Sequence, residues 1–185
     1  MAAKNPKEIL TNKRLLSARA EVNEEVERQT HTPPKFSKDG KIAVLRINSA
    51  AQVHPVIATR WASHLNSKLL EIVLVANTGY VPGMVNFSCR IARVARSRDP
   101  PVNIIDSLKA VAALDEGDLV QRMGESFARG HKEASGGIIP VDAFEELMKL
   151  MKIGEKPDPV EVSSPANKKP GTTPQKNNLM NYFGK

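Results

Sequence analysis

Two short segments of the 185-residue chain concentrate side chains that hold anions. The first is Val85-Asn86-Phe87-Ser88-Cys89-Arg90. Its apolar and polar residues alternate, so it reads as a strand with a core face and a second face that presents Asn86, Ser88 and Arg90. The second is Arg129-Gly130-His131-Lys132-Glu133-Ala134-Ser135-Gly136-Gly137. Glycines there let backbone N–H groups approach a ligand closely, and a histidine, a lysine and the Ser135 hydroxyl beside them suit a phosphate. Cys89 with His131 is the one thiol–base pair available. Cys89 falls on the inward face of its strand, where a cysteine is an inert small hydrophobe. His54 and His64 lie near the two ends of a helical segment and read as cap or surface residues, and Trp61 reads as core.

Metal chemistry has no comparable foundation. Asp39, Asp99, Asp106, Asp115, Asp118, Asp142 and Asp158 are isolated, without neighbouring histidines, and no spacing argument builds a two-metal site from them. A single cysteine excludes an internal disulfide framework. The net charge of +7 favours polyanionic partners, and Arg90, Arg93, Arg96 and Arg98 follow one another with no acid before Asp99. No apolar run is long enough to cross a membrane, and no charged-then-apolar leader opens the sequence, so the expected setting is intracellular.

Several elements must position these residues. Leu15–Arg28 reads as a helix with a narrow stripe of Leu15, Ala18, Val22 and Val26, ended by Thr32-Pro33-Pro34. Lys41–Ile47 is a buried strand after the Asp39-Gly40 turn. Val53–Leu65 is a helix with Val56, Ile57, Trp61 and Leu65 on one face. Leu70–Ala76 is a nearly continuous apolar run, expected as a central strand buried on both faces. Met84–Ala92 is the alternating strand, and Val102–Leu114 an amphipathic helix. A short helix is expected from Leu119 to about Ala128. The glycine-rich stretch Gly130–Gly137 is expected as a loop leading into a short strand at Ile138-Ile139. Asp142 and Glu145 resemble a capping box opening a last helix, with Phe144, Leu147, Met148 and Met151 inward. The sum is an α/β fold, a mixed β-sheet sandwiched with helices. Its divisions are an N-terminal linker-like helix in residues 1–34, a binding domain in 35–153 and a tail in 154–185.

The tail holds five of the 13 prolines, and its composition is that of a disordered segment. It ends in Leu179, Met180, Tyr182 and Phe183. The spacing of Leu179, Tyr182 and Phe183 resembles the sliding-clamp-binding peptides of replication and repair proteins, with Lys176 where those carry glutamine. This resemblance implies a clamp as partner and a nuclear location.

A strand of the form V-x-F-S-x-R, a helical spacer and then G-H-x-x-A-S-G-G resembles the DHH-associated C-terminal domain of the DHH phosphoesterase superfamily, which includes the RecJ-type exonucleases. The likeness covers about residues 36–153. It implies that Ser88 and Arg90, with Gly130, His131, Ala134, Ser135, Gly136 and Gly137, hold a nucleotide or the terminal phosphate of single-stranded nucleic acid. It also implies a partner catalytic domain that holds divalent metal, because the Asp-His-His triplet of that family is missing here. The chain by itself is therefore expected to bind without cofactor and without catalysis. The alternative is a non-catalytic adaptor that recruits partners through its tail and first helix. Two departures stand out: Ala128-Arg129 replaces the usual glycines before Gly130, and the aspartate cluster is missing.

Overall fold

Three apolar runs dictate the architecture, because none can be left in water. They form β2 (Ile42–Ile47), β3 (Ile72–Asn77) and β4 (Met84–Ile91), and every residue of β3 is buried. The computed structural model describes residues 5–156. It shows a six-stranded mixed sheet in the order β1-β2-β3-β4-β6-β5, completed by β1 (Lys35–Phe36), β5 (Arg129–His131) and β6 (Ala134–Pro140). β2 and β3 are parallel, joined by the crossover helix α3 (His54–His64), and all other neighbours are antiparallel. The expected mixed sheet with helices on both faces is present.

The two faces are covered unequally. On one, α4 (Ile104–Ala112), α5 (Leu119–Met123) and α6 (Val141–Leu150) pack over β2, β3, β4 and β6 through Leu74, Val85, Phe87, Cys89, Ile139, Leu108 and Leu147. On the other, α3 packs over β3 and β4, and its Ile57 and Ala58 share a core with Ala43, Leu45, Val73 and Val75 of β2 and β3. The helices α1 (Pro6–Leu10) and α2 (Lys13–Gln29) precede the sheet. Only Val26 of α2 is buried, and its last turn is tied down by Gln29 Nε2 donating to Asn48 O (2.8 Å) and by Arg60 bonding Glu27 (2.7 Å). Trp61 Nε1 donates to Thr30 O at 3.1 Å, closing the same joint.

Several expectations are corrected. Gly130–Gly137 is not a loop: it folds as the β5–β6 hairpin, with β6 beginning at Ala134 and pairing with β4 from Met84 to Arg90. Glycine weakens a strand in isolation, and here the ladder to a well-formed neighbour supplies what propensity does not. The helix from Leu119 stops at Met123, where Gly124 takes φ +63°. The last helix starts at Val141, and Asp142 does not cap it; its carboxylate accepts from Arg122 Nη1 at 3.0 Å. The stripe of α2, which the sequence left without a stated partner, is largely uncovered, with Leu15 at 51% and Val22 at 47% exposure. Val56 likewise faces outward at 50%. The tail residues Leu179, Tyr182 and Phe183 lie outside the described residues. Among the described residues no helix is long and apolar enough to cross a membrane.

Asn77 holds the crossover in place. This fully buried amide accepts from Ser49 N (2.9 Å) and Gly79 N (3.1 Å), and it donates to Ser49 O and Ala51 O (3.0 Å each). Removing it leaves four backbone groups short of partners, at about 1–3 kcal/mol for each that water cannot reach. Asn77→Ala is expected to lower unfolding free energy by at least about 2 kcal/mol in urea titration; a loss below about 0.5 kcal/mol, the scale of an unremarkable surface change, refutes the assignment.

Candidate functional site

Residues directly opposed on neighbouring strands point to the same face of a sheet. Arg90 opposes Ala134, and Ala134 opposes His131. Ser88 opposes Gly136, which opposes Arg129. Two parallel rows therefore cross β4, β6 and β5 on the face where α3 covers β3 and β4 and leaves β6 and β5 uncovered. Gly136 and Ala134 carry almost no side chain, so the middle of each row is a shallow floor, with Arg90 and the buried Ser88 on one side and the exposed Arg129 and His131 on the other. Arg90 and His131 stand two strand spacings apart, about 10 Å between backbones. The outer flank of α3 makes the remaining wall, where Val56, Thr59, Arg60 and Ser63 share a concavity with Arg90. A cleft of about 330 Å³ continues from Arg90 past Thr59 and Ala62 to Arg96, Pro101 and Val102, with Glu133 as its one acid.

Arg90 is locked but not neutralised. Its Nη1 donates to Ser88 Oγ at 2.9 Å and to Cys89 O at 2.8 Å. No carboxylate of the described residues pairs with Arg90, Arg96 or Arg129. Other arginines are treated differently. Arg98 pairs with Glu71 at 2.7 Å, Arg46 chelates Glu145, and Arg122 spans Asp118, Asp142 and Glu146. On the shelf His131 is exposed, and its Nδ1 accepts weakly from Glu133 N at 3.4 Å.

The structure separates other residues that the sequence grouped with these. Ser135 is buried on the opposite face, and its hydroxyl donates to Arg129 O at 2.9 Å. Gly137 also faces that side, where a Cβ would lie 2.4 Å from Ser126 O and 2.9 Å from the Phe87 ring. Gly130 has φ +115°, a conformation open to glycine, and a Cβ on it would meet Ala134 O at 2.7 Å. The glycines are thus accounted for by hairpin geometry and close packing. Burial pushes the Cys89 thiol well above its ordinary range, in keeping with an inert core residue.

His54, read from the sequence as a cap or surface residue, is buried. It opens α3 at 7% exposure, its Nδ1 has no hydrogen-bond partner, and burial, then the nearby Arg90 charge, lowers its pKa to about 4. Asn86 is 3% exposed, and its Oδ1 also lacks a partner. The available signal was His54-Pro55 at a helix start directly after a strand and turn, which puts the imidazole at the sheet rather than in solvent. A divalent ion, which the DHH resemblance implies for a catalytic partner, does not fit here. Among the described residues no three His, Cys, Asp or Glu side chains gather to hold one.

No protein-family model matches the chain, and no curated protein matches it. Solved structures include two distant likenesses. The C-Ala domain of Aquifex aeolicus alanyl-tRNA synthetase matches with TM-score 0.44 and 15% identity over 64% of this chain and 94% of that one. A pGpG-specific phosphodiesterase, PggH, from Vibrio cholerae matches with TM-score 0.42 and 14% identity over 79% of this chain. The chain spans 44% of that enzyme's length. The site described above stands on this chain's own residues.

The depressed pKa of His54 has a consequence for stability. Between pH 6.5 and about 4 the unfolded chain binds a proton that the folded chain does not, so stability falls as pH drops through that window. The full contribution is about 3 kcal/mol. Urea midpoints should therefore decline more steeply from pH 7 to pH 4 in the native chain than in His54→Gln. Parallel declines in the two proteins exclude His54 as the source.

Proposed function

We propose that the chain binds the phosphates of single-stranded nucleic acid or of a nucleotide on the shelf formed by β4, β6 and β5. The observation that carries this is Arg90. It is a guanidinium fixed by two hydrogen bonds, left without a carboxylate, and in register on the same face as His131. A planar fork with free N–H groups suits a phosphate oxygen pair. A floor of glycine and alanine lets a sugar–phosphate backbone lie close to the sheet. The resemblance of Val85–Arg90 and Gly130–Gly137 to the DHH-associated domain supports the same ligand. On that reading the chain is the substrate-holding half of a DHH-type phosphoesterase, with metal and catalysis belonging to a partner domain. Gly130, Ser135 and Gly137 then shape the hairpin and the buried Ser88 holds Arg90 in place, while Arg90, His131, Ala134 and Gly136 meet the ligand.

The adaptor reading has one observation in its favour, the uncovered Leu15, Leu16 and Val22 along α2. It is compatible with the first, since that helix lies away from the shelf. The clamp-binding role of Leu179, Tyr182 and Phe183, with the nuclear location that follows from it, belongs to the same reading and concerns residues outside those described.

Phosphate binding by Arg90 makes two measurable demands. Arg90→Ala should weaken binding of a short single-stranded oligonucleotide by about 1–3 kcal/mol, the range for losing a charged hydrogen bond. Affinity of the native chain should fall as salt rises, with a shallower slope in the variant, because one fewer counterion is released. Fluorescence anisotropy titrations giving equal affinities for the two proteins overturn the proposal.

A further inference from the structure

The helix α2 is seventeen residues long, yet Val26 in its last two turns is its single buried residue. Leu15, Ala18 and Val22 continue the line of Val26 toward the N-terminus, and all three are exposed. A helix of this length is marginal in water and is held mainly by packing its apolar face. Its start is nonetheless well made, with Asn12 Oδ1 accepting from Arg14 N at 3.1 Å and Leu15 N at 3.2 Å. The charges work against the helix on its own. Its first half carries Lys13, Arg14 and Arg19 with no acid, and its second half carries Glu21, Glu24, Glu25 and Glu27 with Arg28. The macrodipole favours the reverse, acids near the N-terminus and bases near the C-terminus. Among the described residues no opposite charge pairs with Arg14, Arg19, Glu21 or Glu24. A neighbouring helix whose charges run the other way would turn that cost into a gain.

We infer that α2 pairs with α2 of a second copy of this chain, antiparallel, about a twofold axis near Ala18. Turned end for end, a second copy lays the basic half of each helix along the acidic half of the other, and a twofold pair makes the same contact twice. Arg14 and Glu21 are seven residues, about two turns, apart, so both stand along one edge of the Leu15, Ala18 and Val22 stripe. In the antiparallel pair Arg14 of each copy meets Glu21 of the other. A parallel pair would instead set Arg14 against Arg14 and Glu21 against Glu21. Leu15 of each copy closes toward Val22 of the other, and the small Ala18 between them lets the two axes approach. The overlap from Arg14 to Val22 is about 13 Å of helix, too short to bury the roughly 1,200 Å² of a stable complex, so the association is weak and concentration-dependent. It leaves the last turn of α2 on its own chain and the shelf open, and it does not depend on the phosphate reading.

The test is analytical ultracentrifugation of the full chain, without nucleic acid, from about 10 μM to about 500 μM, a span that brackets weak association. The average mass of the native chain should climb from that of one chain toward that of two across the range. Arg14→Glu and Glu21→Arg should each stay monomeric, because each sets like charges together at both symmetric contacts. Arg14→Glu also places an acid in the first turn, which favours the helix itself, so its loss of association is not a loss of α2. Mixing the two variants should restore association, since each then offers the charge that the other lacks. A native chain that stays monomeric at the highest concentration overturns the inference and leaves the stripe to a different protein. Association that survives Arg14→Glu, or single variants that do not associate when mixed, overturns this pairing of the helices.

Discussion

Asn77 is the constraint on which the site depends. A parallel pair needs a crossover, and a crossover helix sits where its entry loop starts it. The amide of Asn77 at the end of β3 grips both the loop after β2 and the turn after β3, spending its donors and its acceptor on backbone. The helix must therefore begin at His54, close to the end of β3, and run back along β3 and β4. Shifting it one strand toward β6 would cover Gly136 and Ala134 and close the shelf. The open face is thus the remainder left by a tightly specified helix.

That remainder is stable because little there requires covering. The far side of β4 and β6 presents Phe87, Cys89 and Ile139 to three helices, whereas the near side presents Ser88, Arg90, Ala134 and Gly136. Ala134 and Gly136 have almost no apolar surface, so leaving them exposed costs little. Ser88 instead accepts a bond from Arg90. The contrast with Arg46, Arg98 and Arg122, each bound to carboxylates that tie elements together, separates arginines that hold the fold from one whose charge is left outstanding.

How much of this could be read in the sequence varied with the kind of signal. β3 and β4 were legible because Ile72–Ala76 and Val85–Ile91 have the apolar pattern of strands, and with them came Ser88 and Arg90 on one face. β6 was not, because its first half is Ala134-Ser135-Gly136-Gly137. Its identity as a strand lies in its pairing with β4 and not in its own residues. The split between Ser135 and Gly136 follows from that miss, since a loop has no faces and a strand has two. Asn86 was placed on the right face, but the burial of His54 was not foreseen, because burial at a helix start depends on what the helix packs against.

The charge on the shelf is preorganised. The Arg90 guanidinium is held in place by two hydrogen bonds, so binding an anion there freezes few rotamers that are not already fixed. An apolar group placed on it would separate Arg90 from water while leaving its free N–H groups unpaired, which is costly for a charged group. Deeper under α3, burial and then the same guanidinium keep His54 neutral, so the positive charge of this region is concentrated on Arg90.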